Sequence, residues 1–273
     1  MIGPAPPLAE QAQAALLPRF AEAVREAGAC ALATFGAPLK TWTKDRGSPV
    51  SEADIAVDNL LRSRLTALLP EAGWLSEETE DDPARLTAQR LWIVDPIDGT
   101  RAYLAGLPDW SVAAALVEDG RPILAAVFAP VEAALYLAAA RMGATRNAVP
   151  IAATRADGLD GVRVAGPKPQ LDRLGAHGLR IAAMPRVHSI ALRFARVADG
   201  TLDAAFAGGT GHDWDLAAAD LLVHEAGGAL TTLEGRVLIY NRAQPVHGAL
   251  VAAGNARHRK LVELLHARFG EPT

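Results

Sequence analysis

The chain has 273 residues, half of them apolar, with a net charge of −4 and a single cysteine, Cys30. Such a length and apolar content suit a large folded core, as one domain or two closely packed halves, and exclude a disordered chain. Scattered lysines and arginines give no basic face for a nucleic-acid polymer, and a lone cysteine excludes both a disulfide framework and a thiolate metal site.

The first residues, Met1-Ile2-Gly3-Pro4-Ala5-Pro6-Pro7, have neither a basic start nor a signal-like apolar core, so a cytoplasmic protein is expected. Over residues 8–35, Leu8, Ala12, Leu16, Phe20, Ala23, Ala27 and Ala31 recur at helical spacing, which predicts an amphipathic helix stopped by Gly36-Ala37-Pro38. Cys30 falls among its alanines and reads as core. A polar connector over 44–49 leads to a second helix over 51–69. There Ser51 suits the N-cap and Asp54 the third helical position, as in a capping box.

Short strand-like runs follow at 73–75, 91–94, 111–117, 123–128 and 134–139, with the last three predicted to form an antiparallel meander turned at Gly120-Arg121-Pro122. The longest apolar stretch, 123–140, is broken by Pro130 and Glu132 and is not expected to span a membrane. From residue 162 strands alternate with helices: strands over 162–165, 202–206, 229–233 and 250–253, helices over 188–198, 214–226 and 255–269. The chain therefore divides into an α+β half, 1–150, carrying an acidic turn, and an α/β half, 151–273, that completes the site.

That turn is Asp95-Pro96-Ile97-Asp98-Gly99-Thr100, directly after the apolar run Leu91-Trp92-Ile93-Val94. Pro96 fixes φ and lacks an N–H, which predicts that the strand ends here, and Gly99 permits close approach of a ligand. Two carboxylates three residues apart, followed by exposed amides and a hydroxyl, suit a hard divalent cation beside a phosphate.

Three further acidic sites stand out: Glu77-Glu78 after a short strand, Asp54 early in a helix, and Trp214-Asp215 after the flexible stretch Gly208-Gly209-Thr210-Gly211. Carboxylates at strand ends and helix starts are how oxygen-ligand metal sites are assembled. Each has a plainer reading that the residues alone leave open. Asp54 suits a helix cap, Glu77 and Glu78 a solvated acidic loop running on to Glu80, Asp81 and Asp82, and Asp215 a helix-start acid. His212 stands beside this step, as a substrate contact or a capping histidine. No phosphate-binding Gly-Lys-Ser/Thr loop, dinucleotide fingerprint, nucleophile elbow or His-Glu-x-x-His motif is present.

Taken together, Asp95-Pro96-Ile97-Asp98-Gly99-Thr100 and the stretch from Trp214-Asp215-Leu216-Ala217-Ala218-Ala219 to Glu225-Ala226-Gly227-Gly228 resemble the two signatures of the inositol monophosphatase superfamily. Ser48-Pro49-Val50-Ser51-Glu52-Ala53-Asp54 and the Glu77-Glu78 pair extend the likeness in family order. The resemblance implies an α/β fold of the inositol monophosphatase and fructose-1,6-bisphosphatase type, a layered αβαβα sandwich, and a Mg²⁺-dependent phosphomonoesterase.

It implies one Mg²⁺ on Glu77, Asp95 and the carbonyl of Ile97, and a second on Asp95, Asp98 and Asp215. Metals about 3.5–4 Å apart can clamp both oxygens of an in-line displacement. By the same resemblance Thr100, bonded to Asp54, orients the attacking water, Glu77 accepts its proton, and Asp54 helps hold a weaker third ion through water. Gly99 and Thr100 amides cradle the phosphate. Inhibition by Li⁺, a small phosphorylated metabolite as partner and a homodimer are further implications; the meander over 111–139 offers a contact surface for the dimer, although no residue demands one.

Inositol-specific members carry a glutamate seven residues before the second-signature aspartate, and here that position is Gly208. Lys44 with the following Ser-Pro-Val-Ser entry, Arg101 after Asp-Gly-Thr, and Ala191-Leu192-Arg193-Phe194 resemble the bacterial 3'(2'),5'-bisphosphate nucleotidase branch. Lys44, Arg101, Arg193, Gly208 and His212 are thus the expected substrate contacts, with a bisphosphate nucleotide as lead substrate. Inositol phosphate and histidinol phosphate are the alternatives, and a non-catalytic regulator on the same fold is the alternative of a different class.

Overall fold

The computed structural model describes residues 7–44 and 49–266; Ser48 of the helix-entry motif, the rest of the connector, and residues 267–269 of the expected closing helix lie outside the described residues. Helix α1 (Glu10–Thr34) leads to a small antiparallel pair, β1 (Thr41–Thr43) and β2 (Pro49–Ser51), which flanks the expected connector, and then to helix α2 (Glu52–Leu68). Ser51 and Asp54 do form the predicted box: Asp54 Oδ2 accepts from Ser51 N at 2.8 Å and from Ser51 Oγ at 2.6 Å.

Strands β3 (Gly73–Ser76) and β4 (Arg90–Asp98), a short helix α3 (Thr100–Leu104), and strands β5 (Ser111–Glu118), β6 (Arg121–Ala129), β7 (Ala134–Ala139), β8 (Ala144–Arg146) and β9 (Val149–Pro150) follow. They form a seven-stranded sheet in chain order, parallel only between β3 and β4, which includes the expected meander. The hairpin turn lies at Asp119-Gly120, both at positive φ, with Glu118 paired to Arg121, so the turn precedes the proline rather than including it. The apolar stretch 123–140 is β6 and β7, and no helix among the described residues is long and apolar enough to cross a membrane.

The remaining elements are β10 (Arg163–Ala165), α4 (Lys168–Ala176), β11 (Ala182–Ala183), α5 (Ile190–Ala198), β12 (Ala204–Ala207), β13 (Gly211–His212), α6 (Asp213–Glu225), β14 (Gly228–Thr232), β15 (Val246–His247), β16 (Leu250–Gly254) and α7 (Asn255–His266). A second sheet has the order β11-β10-β12-β16-β14; its first three strands are parallel, and β16 runs antiparallel to both of its neighbours, β12 and β14.

Alternation along β4 explains the layering. Leu91 and Ile93 enter one core with Phe194 of α5 and Leu216 and Leu222 of α6, whereas Trp92 and Val94 enter another with Phe20 of α1 and Leu61 of α2. The far face of the second sheet packs on Leu174 of α4 and Leu261 of α7. The result is an αβαβα sandwich. Both faces of the first sheet are covered, which is why its strands read as continuous apolar runs.

The acidic hexapeptide departs from expectation in one respect. β4 does not stop at Asp95 but continues through Pro96 and Ile97 to Asp98. Asp95 pairs with Ala113 and Asp98 with Ser111, so three steps on β4 oppose two on β5. That is a β-bulge, where a proline without an N–H is tolerated inside a sheet.

Candidate metal centre

The bulge brings Asp95 and Asp98 to one end of β4, where the start of α6 adds Asp215. One carboxylate oxygen from each of Asp95, Asp98 and Asp215 lies within 4.8 Å of the others. Asp98 is aimed by the start of α5: its Oδ2 accepts from Ser189 Oγ and from Ala191 N, both at 2.6 Å. Asp215 Oδ2 accepts from His212 N at 2.6 Å. Asp95 is 1% exposed, and neither of its oxygens has a hydrogen-bond partner.

A buried carboxylate with no donor is costly, and three ionised ones at this spacing repel by on the order of 3 kcal/mol per pair at an effective dielectric near 20. The cost shows in their titration. Burial and the charges of Glu77 and Asp98 push Asp95 well above the usual carboxylate range. Burial, with Asp215 nearby, pushes Asp98 up to about 7. A hard divalent cation bound by oxygen ligands removes both penalties, so the donor set fits Mg²⁺.

Around this cluster Thr100 Oγ1 donates within a fork to Asp54 Oδ1 at 3.2 Å and Ile97 O at 3.0 Å. Asp54 therefore serves both readings that the sequence left open, capping α2 with one oxygen and holding Thr100 with the other. Burial pushes its carboxyl up, against the hydrogen bonds from Ser51. The Thr100 hydroxyl is buried and engaged, not exposed as the turn suggested. Gly99 sits at φ +94°, and a Cβ there would meet the backbone N of Ser189 at 3.2 Å. The close approach that glycine permits is thus made by the residue that aims Asp98.

The acidic run after β3 splits in two. Glu80, Asp81 and Asp82 are exposed, but Glu77 and Glu78 turn inward onto Lys44. Lys44 Nζ lies 3.0 Å from Glu77 O, 3.4 Å from Glu77 Oε1 and 2.6 Å from Glu78 Oε1. Glu77 is accordingly outside the three-aspartate cluster. Burial pushes both glutamates up to about 7, against the pull of Lys44.

All of this opens into a cavity of about 1050 Å³ whose lining includes Lys44, Glu77, Asp95, Asp98, Gly99, Thr100, Arg101, His212 and Asp215. His212 stacks on Trp214 with ring centroids 4.5 Å apart and 3° between planes, forming a flat wall. Two expected substrate contacts are not in the lining. Arg193 is 7% exposed and donates to the carbonyls of Val187 and Phe206, so it cannot reach a ligand in the cavity. Gly208 faces only Pro167 Cγ, at 4.0 Å from an added Cβ.

Arg186 and His188 line the cavity instead, and sequence reasoning missed them along with Ser189. Ser189 was detectable in principle. It is a serine N-cap, accepting from Leu192 N at 2.9 Å, one residue beyond the expected helix start at His188.

The model of the inositol monophosphatase family matches residues 12–269. The chain belongs to this family. It is 31% identical to the inositol-1-monophosphatase of Rhizobium meliloti (strain 1021), over 89% of this chain and 93% of that protein. It is 30% identical to the 3'(2'),5'-bisphosphate nucleotidase CysQ of Aggregatibacter actinomycetemcomitans, over 84% and 88%. The extragenic suppressor protein suhB of Bartonella henselae superposes with a TM-score of 0.82 at 26% identity, covering 93% of this chain and 99% of that one. As an inositol monophosphatase family member the chain is a phosphoric monoester hydrolase that depends on Mg²⁺.

Proposed function

We propose that the chain hydrolyses a small 3'(2'),5'-bisphosphate nucleotide, with Mg²⁺ held by Asp95, Asp98 and Asp215 and by Glu77 once it exchanges Lys44 for the ion. When bound, Mg²⁺ lowers the pKa of a coordinated water and neutralises charge on the phosphate oxygens. The chain's own residues do the rest. Thr100 has its one proton committed to Asp54 and Ile97 O, so its oxygen is left to accept a hydrogen from the attacking water. Glu77, pushed up to about 7 by burial, is placed to take that proton at neutral pH, while Asp54 holds Thr100 in position.

The observation that carries the substrate reading is the charge of the cavity's outer half. Arg101 lines it, and position 208, where inositol-specific relatives place an acid, is a glycine. A cation without that acceptor favours a second phosphate over a polyol. The test is phosphate release from adenosine 3',5'-bisphosphate, myo-inositol 1-phosphate and histidinol phosphate, each with and without Mg²⁺. The bisphosphate is expected to give the highest kcat/KM; a higher value for inositol phosphate overturns the substrate reading.

A further inference from the structure

Residues 184–189 lead from β11 into α5, and Arg186 and His188 both line the cavity. His188 is fixed in place: its Nδ1 lies 2.7 Å from Asp109 Oδ2, and its backbone N donates to the same oxygen at 2.6 Å. Burial pushes Asp109 up, but these bonds outweigh it and hold the carboxyl below its ordinary value. With Asp109 ionised, Nδ1 donates to it, and Nε2 faces a ligand, to which it donates when the ring carries its second proton. Arg186 is exposed and has no hydrogen bond or ion pair among the described residues.

Beneath the same segment lies Arg193. Its guanidinium donates to Val187 O, the carbonyl between Arg186 and His188, and has no carboxylate within ion-pair distance among the described residues. Burial disfavours its charge, Asp98 and Asp109 attract it from beyond ion-pair distance, and Arg186 repels it. Of the nearby acids, Asp98 is committed to α5 and the aspartate cluster, and Asp109 to His188. One short segment thus carries a free arginine on its cavity side and a buried, unpaired one below. The hydrogen bonds of Arg193 are met by carbonyls, but neither arginine is ion-paired, and an anion bound at Arg186 would balance both charges.

We propose that Arg186 and His188 form the subsite for a second phosphate on the leaving-group half of the substrate, with Arg193 beneath as a positioning residue that fixes the segment and adds charge. The assignment rests on the bisphosphate reading above and moves its cationic contact from Arg193 to Arg186. A planar guanidinium can hold a phosphate by two parallel hydrogen bonds, which a point charge cannot.

The test compares adenosine 3',5'-bisphosphate with adenosine 3'-monophosphate, which differ only in the second phosphate. In Arg186→Gln the bisphosphate-to-monophosphate ratio of kcat/KM is expected to fall at least tenfold through KM, and Arg186→Lys to recover part of the loss. A fall of less than threefold, or an equal loss for both substrates, overturns the subsite. Calorimetric binding of the same two nucleotides with Ca²⁺ in place of Mg²⁺ separates this from the catalytic reading. If the wild type releases no phosphate from the bisphosphate, that reading fails. The subsite is then upheld by a tenfold fall in the affinity ratio in Arg186→Gln and overturned by an unchanged one.

Discussion

At the inner end of the cavity, Asp54, Asp95, Asp98 and Thr100 are all less than a tenth exposed and stand on or between α2, β4 and α3. At the outer end, Arg101 and Arg186 are exposed, and the wall is made by the segment leading into α5 and the loop holding Gln244 and Pro245. The inner carboxylates are held by neighbours that are themselves buried, Ser51, Ser189 and the bulge of β4 among them. At the outer end His188 is fixed by Asp109, and Arg186 has no ion pair among the described residues. Chemistry that must be placed to a fraction of an ångström sits on rigid elements, while selection among substrates is left to surface that can change without disturbing the core.

The sharpest way to break this contrast is at its inner end. Asp95→Asn removes a ligand and also an unpartnered buried charge, so phosphate release is expected to fall at least a thousandfold while Mg²⁺-free thermal stability holds or rises. Retained activity, or loss of the folded circular-dichroism spectrum, contradicts the placement. Thr100→Val keeps shape but loses the hydroxyl between Asp54 and Ile97 O, and kcat is expected to drop about a hundredfold, the lower range for general-base assistance. A change confined to KM would mean that Thr100 binds substrate rather than orienting water.

A smaller effect is expected from pH. Burial and neighbouring acids hold Asp98 and Glu77 at about 7, above an unfolded-state value near 4. The unfolded chain then releases protons first, so the cation-free protein loses stability as pH rises from about 4 through about 7. Mg²⁺ relieves that loss, and the Tm gain on adding it is expected to be larger at pH 8 than at pH 5.5. Equal gains would mean that these carboxylates are not the cation's ligands. The smallest effect belongs to Gly208→Ala: with only Pro167 facing it and no place in the cavity wall, kcat/KM for the bisphosphate is expected to stay within twofold.

What could be read in the sequence follows the same division. Asp95 and Asp98 stood out because a proline and a glycine mark where backbone geometry changes. Asp215 read equally as a plain helix-start acid and joined them only through the family resemblance; the fold brings the three together. The bulge was not, since it depends on pairing between β4 and β5 that neither strand encodes alone. Arg193 was misjudged for a related reason. Helix α5 is covered on most sides, with Ala191, Leu192, Phe194 and Ala195 all buried, so its pattern does not say where a basic residue points. Carbonyls of Val187 and Phe206 can satisfy a buried guanidinium, and no residue type announces that. Arg186 lies in a stretch without periodicity, where only the folded chain shows which side chains share a face.

The most direct test of the aspartate cluster as the Mg²⁺ site is calorimetric titration of Mg²⁺ into the wild type and into Asp95→Asn in buffers of different ionisation enthalpy. Saturable binding to the wild type with release of protons at pH 7 is expected, with loss of that binding in the variant. Undiminished Mg²⁺ affinity in Asp95→Asn, or wild-type binding without proton release, would contradict that placement.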